Sequence, residues 1–179
     1  MKTMIIYNSQ TGFTAQYAQW IADATGADRM ELKEAKKKDL KYFDSYDKIV
    51  YGAWVMGGTV SKLQWFEQYL NAWKRKHLAV FAVGASPEDS ETVAEFLKKT
   101  FTGEQWKGVA HFYCQGGLNY EHMSMPNKML MKMLKKTLDG KKDKTPQEEE
   151  MAKMIGSSYD ISDRKYAEPV IEWIQGSCA

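Results

Sequence analysis

The sequence predicts an α/β protein built on a buried parallel sheet, and three observations carry that reading. Short apolar runs recur at Met4–Tyr7, Lys48–Ala53, His77–Val83 and Val109–Cys114. Each is too short for a helix and suits a strand buried on both faces. Stretches of helical spacing alternate with them, which is the βαβ signature. Finally, each run leads directly into a loop of small, hydroxyl or amide residues, and in a parallel sheet such loops gather at one edge.

In chain order, the first strand breaks at Asn8-Ser9 and passes through Thr11-Gly12. Helical spacing then begins at Ala15, Ala18, Ile21 and Ala22, with Gly26 as the stop. Asp28 to Leu32 reads as a weak second strand. Ala35 to Leu40 is a lysine-rich connection with a solvated face, standing where a helix is missing. The third strand, Lys48 to Ala53, runs into a loop, Trp54 to Thr59. Leu63, Phe66, Leu70 and Trp73 share one face of the next helix.

The fourth strand ends in Gly84-Ala85-Ser86. Ser86-Pro87-Glu88-Asp89 reads as an N-cap, an N1 proline and an acidic first turn, with Val93, Phe96, Leu97 and Phe101 as the helix stripe. The fifth strand leads into Gln115-Gly116-Gly117.

Residues 118–165 form an excursion far longer than the ~2–6 residues usual between such elements. Within it, Met129, Leu130, Met131, Met133, Leu134 and Leu138 cover about 200° of a helix, and Lys128, Lys132, Lys135 and Lys136 fill the gap. Three roles suit that helix: packing on the domain behind a solvated lysine face, contact with a partner, or peripheral contact with a membrane through about 126–138. Thr145-Pro146-Gln147-Glu148 is a capping box opening a short helix to Ile155. The last helix spans Ser162 to Gln175, and Pro169 either kinks it or marks its true first turn.

The 179 residues suit one domain, 1–179, with 44% hydrophobic and 27% charged residues and a mean hydropathy of −0.55. No apolar run approaches the ~20 residues of a membrane span. Met1-Lys2-Thr3 enters a strand at once, which predicts no signal peptide. Cys114 and Cys178 form no redox or metal motif, and the three histidines lack ligand spacing. A cytoplasmic protein with free thiols and no metal is expected. The net charge of +2 does not indicate a nucleic-acid binder.

The loop Ser9-Gln10-Thr11-Gly12-Phe13-Thr14 joins a strand to a helix. Its backbone N–H groups and the helix dipole suit a phosphate. Ser9, Thr11 and Thr14 add hydroxyl donors, and no Lys or Arg lies between Thr3 and Ala27, so neutral dipoles would do the holding. The Gly-Lys-Ser/Thr ending of a Walker A loop is absent, as are the Gly-x-Gly-x-x-Gly turn and the Cys and Arg of a phosphatase loop. The pattern Ser9-x-Thr11-Gly12-x-Thr14 resembles the FMN phosphate loop of flavodoxins. The plainer alternative is a strand–helix turn with Ser and Thr as caps.

In the second loop, Ala53, Trp54, Val55, Met56, Gly57 and Gly58 offer an aromatic face and a glycine pair that lets backbone approach a flavin ring. Trp54 as a core aromatic is the alternative. Ala85, Ser86, Gly116 and Gly117 belong to the remaining loops of the same edge, and Tyr120 either covers the ring or is an ordinary surface tyrosine. Glu121 and His122 are proton-shuttle candidates or a solvated pair, and no catalytic triad or carboxylate pair stands out.

The loops and the strand order together resemble the flavodoxin superfamily. The resemblance implies a five-stranded parallel sheet of order 2-1-3-4-5, helices on both faces, and FMN as cofactor. Gly116-Gly117-Leu118-Asn119-Tyr120, followed by the Met/Leu/Lys helix, is most similar to the branch that includes menaquinone-dependent protoporphyrinogen dehydrogenase. The chain departs from that branch in carrying no basic residue from Ala53 to Ser61, where porphyrin propionates want partners.

The function expected is an FMN-binding redox protein, for electron transfer or as an oxidoreductase. Its partner would be a redox protein or a quinone- or porphyrin-type substrate. The alternatives are a protoporphyrinogen or quinone oxidoreductase of the same branch and a flavin-free partner-binding module. A receiver-type signalling domain would need an acidic strand end, where Asn8 and Gly52-Ala53 stand instead.

Overall fold

Alternation along the strands sets the layers. In β1 (Thr3–Asn8), Ile5 and Tyr7 face one side of the sheet while Met4 and Ile6 face the other, and all are buried. The computed structural model describes residues 1–176. β2 (Asp28–Glu31), β1, β3 (Lys48–Met56), β5 (His77–Gly84) and β6 (Val109–Gln115) lie in that order and pair in parallel. This is the expected 2-1-3-4-5 topology once β4 (Thr59–Val60), a short antiparallel partner of β3, is set aside.

α1 (Phe13–Thr25) and α7 (Glu168–Gln175) cover one face, packing Tyr17, Ile21, Val170 and Ile171 on Ile5, Val50, Ala79 and Phe81. On the other face α2 (Leu32–Ala35), α3 (Leu63–Glu67) and α4 (Glu91–Thr100) pack Leu32, Phe66 and Val93 on Ile6, Ile49, Tyr51 and Val80.

Lys48, at the start of β3, is fully buried. Its ammonium donates to the carbonyls of Trp173, Ile174 and Gly176 at 3.0, 2.8 and 2.9 Å. A cation thus sits where the C-terminal carbonyls of α7 carry their partial negative charge.

Local winding departs from expectation in several places. Trp54, Val55 and Met56 are not loop but the end of β3. The turn is the glycine pair alone, with Val55 opposite Val60 and Met56 opposite Thr59. Gly57 and Gly58 have φ of +57° and +72°, the two left-handed residues of a type I′ hairpin. The second helix winds regularly only from Leu63 to Glu67. Leu70 and Trp73 are buried as expected but reached through tight turns, and Trp73 stacks on Tyr69 at 5.0 Å. The N-cap of α4 is Ser90, which accepts from the Val93 amide, and not Ser86. The lysine-rich connection, Ala35 to Leu40, joins α2 to a 3₁₀ turn, Leu40–Phe43, that buries Phe43. Pro169 stands in the first turn of α7, with no kink.

The excursion holds α5 (Met125–Gly140) and α6 (Pro146–Met154), the latter opened by the expected capping box. β7 (Gly117–Leu118) and β8 (Tyr159–Asp160) pair antiparallel and tie its two ends together. Leu118, Met123, Met131, Leu138, Ala152 and Ile155 make a third core, which reaches Met56 and Ala85 at the sheet edge. The packed-helix expectation for α5 holds for Met131 and Leu138 alone. Among the described residues no helix is long and apolar enough to cross a membrane.

Candidate functional site

The C-terminal ends of β1, β3, β5 and β6 meet at one edge, where the order reverses between β1 and β3. The first loop crosses this edge. Gly12 holds the N-cap position of α1, and no side chain caps that helix end. Its first-turn amides are left for another acceptor. The hydroxyls of Ser9 and Thr14 are buried here, and neither has a hydrogen-bond partner. Thr14 itself is only 1% exposed. A buried hydroxyl without a partner costs about 1–3 kcal/mol. Two of them, beside an uncapped helix end, form a donor set that suits a compact anion such as a phosphate monoester.

Beside the loop lies a narrow slot. Gln10, Thr11 and Phe13 form one end; Trp54, Val55 and Met56 of β3 form one wall; Val83, Gly84 and Ala85 of β5 form the floor; Gly117, Leu118 and Met123 close it. No charged side chain lines it. Trp54 is half-buried, lines the slot and belongs to none of the three hydrophobic cores. A second, open groove adjoins the slot at Thr11, Gly12 and Phe13 and continues past Gln16 to Asn119, Glu121 and Asp160.

The supports of this edge are polar and specific. Asn8 Nδ2 donates to Ser61 Oγ at 2.9 Å, binding the first loop to the hairpin exit. Asn127 Nδ2 of α5 donates to Gln10 Oε1 at 2.7 Å, binding the same loop to the excursion. Tyrosine phenols anchor the rest. Tyr17 donates to the Gln115 carbonyl, Tyr51 to Ser61, Tyr113 to Ser86 and Tyr159 to Ala85. Burial pushes all four phenols up, that of Tyr159 to about 12, so they stay protonated donors at neutral pH. Burial also pushes the Cys114 thiol well above its ordinary range, which leaves it unreactive. Cys178 lies outside the described residues.

The structure therefore brings Gln10, Thr11, Phe13, Trp54, Val55, Met56, Ala85 and Gly117 around one slot, with Gly12 in the groove beside it. Ser9 and Thr14 lie beneath the loop. Ala53 is buried inside the sheet, Gly57 and Gly58 stand at the exposed hairpin tip, and Ser86 and Gly116 lie outside the slot wall. Tyr120 packs on the third core and donates to the Ile155 carbonyl, so it staples the excursion. Glu121 and His122 are exposed. Sequence reasoning missed Val83 and Met123 as slot walls. Gly117 was legible, and its position is tight: a Cβ there would lie 2.1 Å from the Tyr159 carbonyl oxygen. No group of acidic, Cys or His residues able to hold a metal occurs among the described residues.

A doubly wound parallel sheet with a hydroxyl-rich loop at its switch point defines the class of protein. The chain belongs to the flavodoxin domain family, whose model matches residues 4–145. Solved structures are similar at low identity. A flavoprotein from Lactobacillus acidophilus in complex with FMN is 17% identical, covers 64% of this chain and 91% of its own, and gives a TM-score of 0.42. Oxidised Flavodoxin 2 from Bacillus cereus is 22% identical, with 63% and 84% covered and a TM-score of 0.41. The Trp repressor binding protein from Bacillus subtilis is 13% identical, with 68% and 88% covered and a TM-score of 0.48. No curated protein matches the chain.

Proposed function

We propose that this chain binds FMN and acts as a redox protein, accepting electrons from one partner and passing them to another. The observation that carries this is the pair of buried, unpartnered hydroxyls of Ser9 and Thr14 beneath an uncapped helix end. In this reading Ser9, Thr11, Thr14 and the first amides of α1 hold the phosphate through neutral donors. Trp54, Val55 and Met56 face Ala85 and Gly117 across the slot, where a flat ring system would lie. Bound FMN supplies the one- and two-electron chemistry. The residues bind it, orient it and exclude water, so no catalytic acid–base pair is required. Visible absorption of the purified chain, with added FMN and then dithionite, tests the reading. An oxidised-flavin spectrum that shifts on binding and bleaches on reduction is expected. Failure to bind at high FMN concentration would leave a flavin-free partner module.

A finer reading concerns the small-molecule redox partner, a quinone that takes electrons from the flavin or a porphyrinogen that gives them to it. The excursion walls the slot with Leu118 and Met123, and no cation lines it. That surface favours an apolar quinone over a porphyrinogen, whose propionates need basic partners. The Gly116-Gly117 turn followed by the Met/Leu/Lys helix supports placing the chain near the protoporphyrinogen dehydrogenase branch in architecture, and the cation-free slot supports a different substrate preference. Rates of reoxidation of the dithionite-reduced, FMN-loaded chain by quinones and by protein electron carriers, and the rate of reduction of its oxidised form by protoporphyrinogen, separate the choices. Faster reduction of quinones is expected, and preference for a carrier protein would assign simple electron transfer.

A further inference from the structure

α5 leaves most of its apolar surface outside the protein. Met125, Met129 and Met133 are 74%, 66% and 62% exposed, and Leu130 and Leu134 are 48% and 40% exposed. At about 100° per residue, the three methionines form a ridge about 80° wide that faces away from the buried Met131 and Leu138. Leu130 and Leu134 continue the apolar surface on one side of this ridge. Lys132 borders its other side, and Lys136 stands within it between the angular positions of Met125 and Met129. A helix that only packs on its own domain turns such residues inward. An apolar ridge of this extent marks a contact surface.

Charge decides what the surface contacts. Between residues 125 and 144 stand Lys128, Lys132, Lys135, Lys136, Lys141, Lys142 and Lys144, against Asp139 and Asp143. Lys135 pairs with Asp139, and Lys141 with Glu148 of α6. The whole chain is only +2, so the positive charge is concentrated here and the remainder is net negative. A second copy of the chain, docked ridge to ridge, would set these lysines against one another. An anionic lipid surface meets both features, with methionines in the acyl boundary and lysine stems reaching up to the headgroups.

We propose that α5 docks this protein on anionic membranes, lying in the interface with Met125, Met129 and Met133 inserted. The inference stands without the flavin reading and is read without FMN. The full chain is sedimented with vesicles of phosphatidylcholine, and of phosphatidylcholine mixed with phosphatidylglycerol. It is expected to sediment with the mixed vesicles, to be released by high salt, and to stay in solution with phosphatidylcholine alone. The double variants Met129→Gln/Met133→Gln and Lys132→Glu/Lys136→Glu each lose about tenfold or more in partitioning. All four side chains point outward, and unchanged circular dichroism confirms the fold. A charge-matched control on α4, Lys98→Glu/Lys99→Glu, changes partitioning by about twofold at moderate salt. The proposal is overturned by no retention on mixed vesicles, by equal retention on both, or by retention that neither α5 variant reduces. It is equally overturned if the chain ignores vesicles and sediments as a dimer that the methionine variant dissociates.

Discussion

Thr14 and Lys48 are two buried polar residues with opposite bookkeeping. The Thr14 hydroxyl has no partner in the folded chain. Thr14→Val keeps the shape and removes the orphan, so the ligand-free protein should hold or gain about 1 kcal/mol in denaturant unfolding. The same variant should bind FMN about tenfold more weakly, because the hydroxyl's only use is to the ligand. Loss of stability without loss of affinity would show that the hydroxyl serves the fold. Lys48 has every bond made, to three carbonyls at the end of α7. Lys48→Met fills similar volume yet strands those carbonyls, and should cost about 2–4 kcal/mol. In a chain of this size that lowers the melting temperature by about 5–10 °C. A shift under a degree would mean that water replaces the ammonium at no cost.

At the scale of elements, the parallel strands and their order were legible because burial on both faces writes a continuous apolar run. The helix ends and short pairings were not. The sequence reading places the Gly57-Gly58 hairpin in a loop, Trp54 to Thr59, although Val55-Met56 and Thr59-Val60 flank the glycine pair with strand residues. α3 lost its regular winding to aromatic packing: Tyr69 and Trp73 stack, and Trp65 meets both edge-on, an arrangement that helical spacing does not encode. β7 and β8 are two residues each and lie 40 residues apart, so only the return of the chain reveals them. The same return explains the site. The first loop was readable from its hydroxyls, and Trp54 from its place toward the end of an apolar strand. Met123 became a slot wall only because α5 and α6 fold back and close a third core around it.

Across the molecule, the functional edge is held by tyrosine phenols more than by ion pairs. Tyr17, Tyr51, Tyr113 and Tyr159 each donate to a carbonyl in a loop or turn at that edge. Among the described residues the ion pairs lie at the surface, with exposed or half-buried partners, and contribute little. Burial raises the four phenol pKa values in the folded state, to about 12 for Tyr159, whereas the unfolded chain ionises near pH 10. Above about pH 10 the unfolded state has therefore lost protons that the folded state keeps, and stability falls as pH rises. The contribution is fully present below pH 10 and is lost through about pH 12 for Tyr159, the most exposed of the four and the first to ionise. Urea midpoints should thus begin to fall above about pH 8.5, where the unfolded chain loses the Cys114 thiol proton that burial retains in the fold, and decline more steeply beyond about pH 10. Because Tyr159 anchors Ala85 at the slot floor, FMN should dissociate before the sheet unfolds, and Tyr159→Phe should release FMN at lower pH than the parent chain. Coincident loss of flavin and of far-ultraviolet circular dichroism in both proteins would mean that the phenol anchors do not act on the site separately from the core.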